Sequence, residues 1–172
     1  EFSVADLNAD GHLDFVVSNQ LGAGTISIYL NQLDRTFSRI DLGEQEGARH
    51  VELVDIDGDR DLDILAIGAR PNTNTGQYSL FENRGGGNFR DVRGESGLGV
   101  NTIWPSAAVA DFNGDGRIDV ITNDESSGNL YIFNISQNAS DTQATATITF
   151  TGNPTINQTI TITSTDGTSL TY

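Results

Sequence analysis

The sequence predicts an all-β protein built from about three repeated units of four short strands, and three observations carry the prediction. An acidic eleven-residue segment occurs three times, β-branched and aromatic runs flank each copy, and a Thr/Ile-rich tail alternates with a period of two.

The repeated segment is Val4-Ala5-Asp6-Leu7-Asn8-Ala9-Asp10-Gly11-His12-Leu13-Asp14. It returns as Leu53 to Asp63 and as Val109 to Asp119, with starts at Asp6, Asp55 and Asp111. The residues before each loop read as a first strand, and Phe15-Val16-Val17, Ile64-Leu65-Ala66-Ile67 and Val120-Ile121-Thr122 after the loops read as a second. A third strand follows at Thr25 to Leu30, Tyr78 to Phe81 and Leu130 to Phe133, closing on Asn31, Asn83 and Asn134. Phe37 and Phe89 open a fourth strand in the first two units, whereas the third unit shows none after Asn134.

A four-stranded sheet of this kind cannot bury both faces alone and stacks on its neighbours, as propeller blades do. Propellers close with about four to eight blades. Three units therefore predict an incomplete propeller. The reading divides the chain into units at 1–43, 44–93 and 94–134, a linker at 135–141 and a β-strand tail at 142–172. In the tail Ala144, Ala146, Ile148 and Phe150 alternate with threonines, as do Ile160 and Ile162. Asp166 is its one charge. An uncharged strand with one apolar face invites edge pairing, so the tail is expected to donate a strand to another surface.

The chain of 172 residues carries 24 acidic and 9 basic residues, a net charge of −15. Such a surface repels nucleic-acid backbones, and no apolar run approaches the roughly 20 residues of a membrane-spanning helix, so neither nucleic-acid binding nor membrane insertion is expected. Cysteine is absent, which excludes disulfides and thiolate metal sites.

Within each loop, side-chain oxygens recur at places one, three, five and nine. This spacing lets one turn of backbone wrap a hard cation with an all-oxygen shell, and calcium takes six to eight such oxygens. The predicted ligands are Asp6, Asn8, Asp10 and Asp14; Asp55, Asp57, Asp59 and Asp63; and Asp111, Asn113, Asp115 and Asp119. His12, Asp61 and Arg117, at place seven, contribute backbone carbonyls. Up to three Ca²⁺ are expected. An EF-hand is excluded, because place twelve is Val17, Ala66 or Thr122 instead of Glu, and strands rather than helices flank the loops.

These loops, the apolar strand after each, and the segment Asn83-Arg84-Gly85-Gly86-Gly87-Asn88-Phe89 resemble FG-GAP/VCBS repeats over roughly residues 1–134. The resemblance implies integrin-like calcium-binding β-propeller repeats and a microbial or cell-surface setting. Loop three follows the family pattern throughout, whereas Ala9 and Arg60 stand where glycine is usual.

The reading that follows is a non-catalytic, calcium-stabilised structural or adhesive protein, extracellular or on the cell surface. It assembles with its own copies by strand or blade complementation into a fibre or filament. The alternative is a carbohydrate- or ligand-binding fragment of a larger cell-surface propeller, with glycans as partners. No nucleophile is paired with a base, so an enzyme is not expected. Asn134, Asn138 and Asn157 begin Asn-x-Ser/Thr glycosylation acceptors, although three such triplets are no excess for this composition and Asn134 aligns with Asn31 and Asn83.

Overall fold

The computed structural model describes residues 1–19, 25–44, 48–69, 76–92, 107–112, 116–124, 129–134, 145–149, 161–163 and 169–171. Every regular element among them is a strand. Strands β1 (Phe2–Ala5), β2 (Asp14–Ser18), β3 (Thr25–Asn31) and β4 (Phe37–Glu44) form the first sheet in chain order. Strands β5 (Ala48–Val54), β6 (Asp63–Ala69), β7 (Gly76–Asn83) and β8 (Phe89–Asp91) form the second in the same way. All pairings are antiparallel, so each sheet is a meander whose acidic loop joins its first strand to its second.

The third sheet holds β9 (Ala107–Ala110), β10 (Asp119–Asp124), β11 (Asn129–Asn134) and β12 (Thr145–Thr149). Here the structure differs from the sequence reading, which ends the third unit at Asn134 and sets residues 142–172 apart. β12 lies antiparallel against β11, from Asn129 opposite Thr149 to Phe133 opposite Thr145, and supplies the missing fourth strand. Alternation marks these residues as a strand, but a local pattern does not specify which edge a strand joins. β13 (Thr161–Thr163) and β14 (Ser169–Thr171) pair with each other as a two-stranded ribbon. The linker at 135–141 lies outside the described residues.

Two apolar cores lie between sheets. One joins Val16, Ile26, Ile28 and Leu30 of the first sheet to Val51, Ile64, Ala66 and Phe81 of the second. The other joins Val54, Leu65, Ile67, Tyr78 and Leu80 of the second to Val120 of the third, with Ala107 and Val109 packed alongside. The second sheet is therefore covered on both faces. This explains the unbroken run Ile64-Leu65-Ala66-Ile67, all four buried, where a one-faced strand would alternate. Ile64 and Ala66 serve one core, Leu65 and Ile67 the other. β2, at the end of the stack, keeps the alternation: Asp14, Val16 and Ser18 are buried, and Phe15 and Val17 are half-buried.

Polar bonds tie the sheets as well. Ser3 Oγ donates to the carbonyl of Val51 at 2.9 Å, and the Tyr78 hydroxyl bonds Thr122 Oγ1.

The register also corrects the alignment of Asn134. Phe133 stands opposite Val120, as Phe81 stands opposite Ile64 and Tyr29 opposite Phe15. Asn134 thus occupies the place of Glu82 and Leu30, and not that of Asn83 and Asn31. Reading each strand as closing on its nearest Asn shifts the third unit by one residue.

Candidate metal centre

The first two loops each turn on two left-handed residues, and the described part of the third shows one. In the first, Ala9 has φ of 60° and Gly11 of 86°; in the second, Gly58 has 80° and Arg60 has 81°; in the third, Gly116 has 84°. These are loop places four and six. Glycine adopts such a conformation freely, which is why the pattern favours it there, and Ala9 and Arg60 hold it against steric resistance.

The turn directs peptide N–H groups at the carboxylates. Asp6 accepts from the N–H of Asp10 at 3.1 Å and of Gly11 at 2.8 Å. Asp55 accepts from Gly58 at 2.7 Å and Arg60 at 3.1 Å, and Asp111 accepts from Gly116 at 2.8 Å. Place three repeats the motif: Asn8 Oδ1 accepts from Asp10 N–H at 3.0 Å and Asp57 Oδ1 from Asp59 N–H at 3.1 Å. Place five follows, with Asp10 accepting from His12 N–H at 2.9 Å and Asp59 from Asp61 N–H at 2.8 Å. Donors placed this way offset part of the repulsion among clustered carboxylates.

Place nine has a structural duty that the spacing alone does not disclose. Asp14, Asp63 and Asp119 are 0% exposed. One oxygen of each accepts the N–H of place two, from Leu7 at 2.9 Å, Ile56 at 2.8 Å and Phe112 at 2.9 Å. The other oxygen of Asp14 and of Asp63 accepts the N–H of Asn31 and of Asn83, each at 2.8 Å. The carboxylate therefore clips its loop to the end of the third strand. A carboxylate oxygen has two lone pairs, so one N–H bond leaves room for a cation.

Asp55, Asp57 and Asp63 form the one group of three acidic side chains among the described residues that could hold a metal ion, with ligand atoms within 4.8 Å of one another. Two oxygens bound to one calcium at about 2.3–2.6 Å can stand no more than about 5 Å apart, so this spacing suits it. The donors are all oxygens, which matches a hard cation and not a soft one. Burial pushes the Asp63 carboxyl up to about 6 despite its backbone donors, with Asp57 and Asp59 adding to the rise. Asp57 is also raised, first by burial and then by the charges of Asp59 and Asp55. Groups that resist ionisation because they crowd like charges in a buried place are those a divalent cation relieves.

In the first loop Asp6, Asn8 and Asp10 are linked by these short-range bonds, and the Asn8 carboxamide donates to Asp10 Oδ2 at 3.0 Å, which lowers the Asp10 pKa. Asp111 and Asp119 begin and end the third loop as predicted, while Asn113 and Asp115 lie outside the described residues, as do Asn138 and Asn157. His12, Asp61 and Arg117 occupy place seven. The residues that the loop spacing missed are Asn31 and Asn83. Their signal was an Asn two residues after the aromatic at the end of the third strand, once the register is known.

Stacked four-stranded antiparallel sheets, with an acidic loop between the first and second strands, define an all-β repeat protein. The sequence profile of FG-GAP-like repeats matches residues 6–66 and 67–122, roughly two thirds of the chain, and the chain belongs to that family. Repeats of this family are generally non-catalytic, often bind calcium, and are typical of extracellular or surface proteins. A comparison with curated proteins returns no match.

Proposed function

We propose that this chain is a calcium-stabilised, non-catalytic extracellular structural or adhesive protein whose sheets act as propeller blades and which assembles with further copies of itself. The carrying observation is the open face of the first sheet. Phe2, Val4, Phe15, Val17, Tyr29 and Phe37 occupy the register places of Val51, Leu53, Ile64, Ala66, Phe81 and Phe89 in the second sheet. All six of the latter belong to the core formed against the first sheet. On the first sheet, by contrast, Phe2 is 69% exposed, Val4 50% and Phe37 44%. Phe15 stacks on Tyr29 with centroids 4.6 Å apart, and Phe37 meets Phe15 edge-on at 5.0 Å, so an ordered aromatic surface stands ready.

A surface that packs one way twice within the chain supports the same packing a third time. On the third sheet Ile121, which corresponds to Leu65 and Val16, shares a register row with Ile132 and Ala146, the row whose counterparts in the first two sheets face the next sheet. Joining unlike faces is a heterologous contact, which yields a ring if the rotation closes and a fibre if it does not. The calcium loops stiffen each blade. A site binding at about 10–100 μM in roughly 1 mM calcium stabilises by about 1.4–2.7 kcal/mol.

Sedimentation velocity across a concentration series, with calcium and then with EDTA, tests both parts. The expected result is assembly in calcium that is lost on chelation, lost in a Val4→Glu/Phe37→Glu variant, and accompanied by a lower Tm in EDTA. An unchanged Tm in EDTA refutes the calcium role. A monomer at every concentration in calcium refutes self-assembly and favours the second reading, a glycan- or ligand-binding fragment whose open face is covered by another repeat.

A further inference from the structure

A buried polar contact between the first two sheets joins their two acidic loops. Asn83, 1% exposed at the end of β7, donates through Nδ2 to the carbonyl of Leu7 at 2.9 Å and to that of Leu62 at 3.2 Å. Leu7 is place two of the first loop, and Leu62 is place eight of the second. The Asn83 backbone N–H holds Asp63 Oδ1 at 2.8 Å, and its Oδ1 accepts from Gly85 N–H at 3.1 Å. One carboxamide thus uses both of its N–H donors to bridge two candidate cation loops, reaching 76 residues back along the chain to Leu7.

The turn that follows makes the same connection by packing. It is closed by Arg84 N–H to the carbonyl of Asn88 at 2.7 Å and by Asn88 N–H to that of Gly85 at 3.2 Å. Gly87 is buried with φ of 78°, and a Cβ there would lie 2.8 Å from Leu30 Cδ1 and 3.7 Å from Asn8 Cβ. Asn8 is the place-three ligand of the first loop. On the other side, a Cβ at Gly85 would lie 3.4 Å from Asp61 Oδ2 in the second loop. A segment of five residues, Asn83 to Gly87, therefore bonds the first loop at Leu7 and lies close to Asn8, and bonds the second at Leu62 and Asp63.

We infer that Asn83 and its turn couple cation binding at the first and second loops, so that filling one raises the affinity of the other. The inference rests on the calcium reading of the loops. Closing the first loop on its cation fixes Leu7 and Asn8, which seats the Asn83 carboxamide and the turn, and Asn83 in turn fixes Asp63. The ordering is required once for two sites, which produces positive coupling without a large change of shape. Linkage makes the effect equal in both directions.

The chain contains its own controls. Asn31 repeats the contacts within its unit, with N–H to Asp14 at 2.8 Å, Nδ2 to the carbonyl of Leu13 at 3.3 Å, and Oδ1 accepting from Leu33 N–H at 3.0 Å. The bridge runs between loops one and two, and the third loop serves as the reference outside it.

Calcium titration followed by nuclear magnetic resonance tests this, because the amides of Gly11, Gly58 and Gly116 report the three loops separately. Disabling the first loop with Asp10→Ala is expected to raise the calcium needed to half-fill the second by about fivefold, the lower end of ordinary coupling. Asn83→Ser should remove that difference. Should Asn83→Ser not fold, Asp57→Ala in the otherwise native chain must weaken loop one by the same factor, and Asp111→Ala must leave loops one and two unchanged. Coupling is overturned if loop two fills identically with and without loop one, or if the ratio survives Asn83→Ser. If no glycine amide responds to calcium, the calcium reading falls and the coupling with it.

Discussion

Place six of the acidic loop offers a reciprocal test of the backbone argument. Gly11, Arg60 and Gly116 share this place with φ of 86°, 81° and 84°, so one conformation is held by two glycines and one arginine. An L-residue in the left-handed region is disfavoured by roughly 1–2 kcal/mol, whereas glycine loses roughly 0.5–1 kcal/mol more on folding through its freedom in the unfolded chain. Replacing exposed Arg60 by Gly should therefore stabilise the protein by about 0.5–1 kcal/mol. For a chain of this length that is a rise in Tm of about 1–4 °C. Gly11→Ala and Gly116→Ala should each lower stability by a similar amount. A Cβ meets nothing within 4 Å at either position, so their effect isolates the backbone from any clash. Arg60 also brings positive charge to a loop holding Asp55, Asp57, Asp59, Asp61 and Asp63, so the gain should be larger in calcium than in EDTA. Differential scanning calorimetry of the three variants in both buffers is the assay. Loss of stability in Arg60→Gly with calcium, together with neutral Gly→Ala exchanges, would refute the assignment of left-handed strain to this place.

Other consequences can be checked as directly. In calcium-free buffer Asp63, raised by burial from 3.8 to about 6, takes up a proton on folding. Stability should then rise as the pH falls from 7 through 6 toward 4 and level off below, by at most about 3 kcal/mol; Asp63→Asn should flatten this profile, and urea unfolding at pH 7.5 and 5 in EDTA reads it. Leu65→Ala removes a fully buried side chain from the core between the second and third sheets and should cost about 2–5 kcal/mol, measured by the same unfolding. Gly87→Ala forces a Cβ toward Leu30 in a left-handed turn and should lower Tm by several degrees, whereas Gly86→Ala, at an exposed position of the same turn, should lower it less.

The acidic loops, their flanking strands and the four-stranded unit were legible because each depends on local chemistry. Alternating or continuous apolar runs mark strands, and oxygen spacing marks the loop. What stayed hidden depends on contacts distant along the chain. β12 has a strand's pattern, but its partner β11 is determined by which edge lies open. The clip made by Asp63 requires knowing that the N–H groups of Ile56 and Asn83 converge on it. The bond from Asn83 to Leu7 spans two units and leaves no periodic trace. Asn134 was misaligned because Asn recurs near the strand end, and only cross-strand register separates one position from the next.

The two-faced burial of the second sheet has a consequence for how such a chain changes length. Its two faces match those of its neighbours in type, so whole units can be duplicated or deleted between the first and third sheets without altering either terminal surface. Gene duplication then works as a ruler, adjusting length in steps of one sheet while the first and third sheets stay the same.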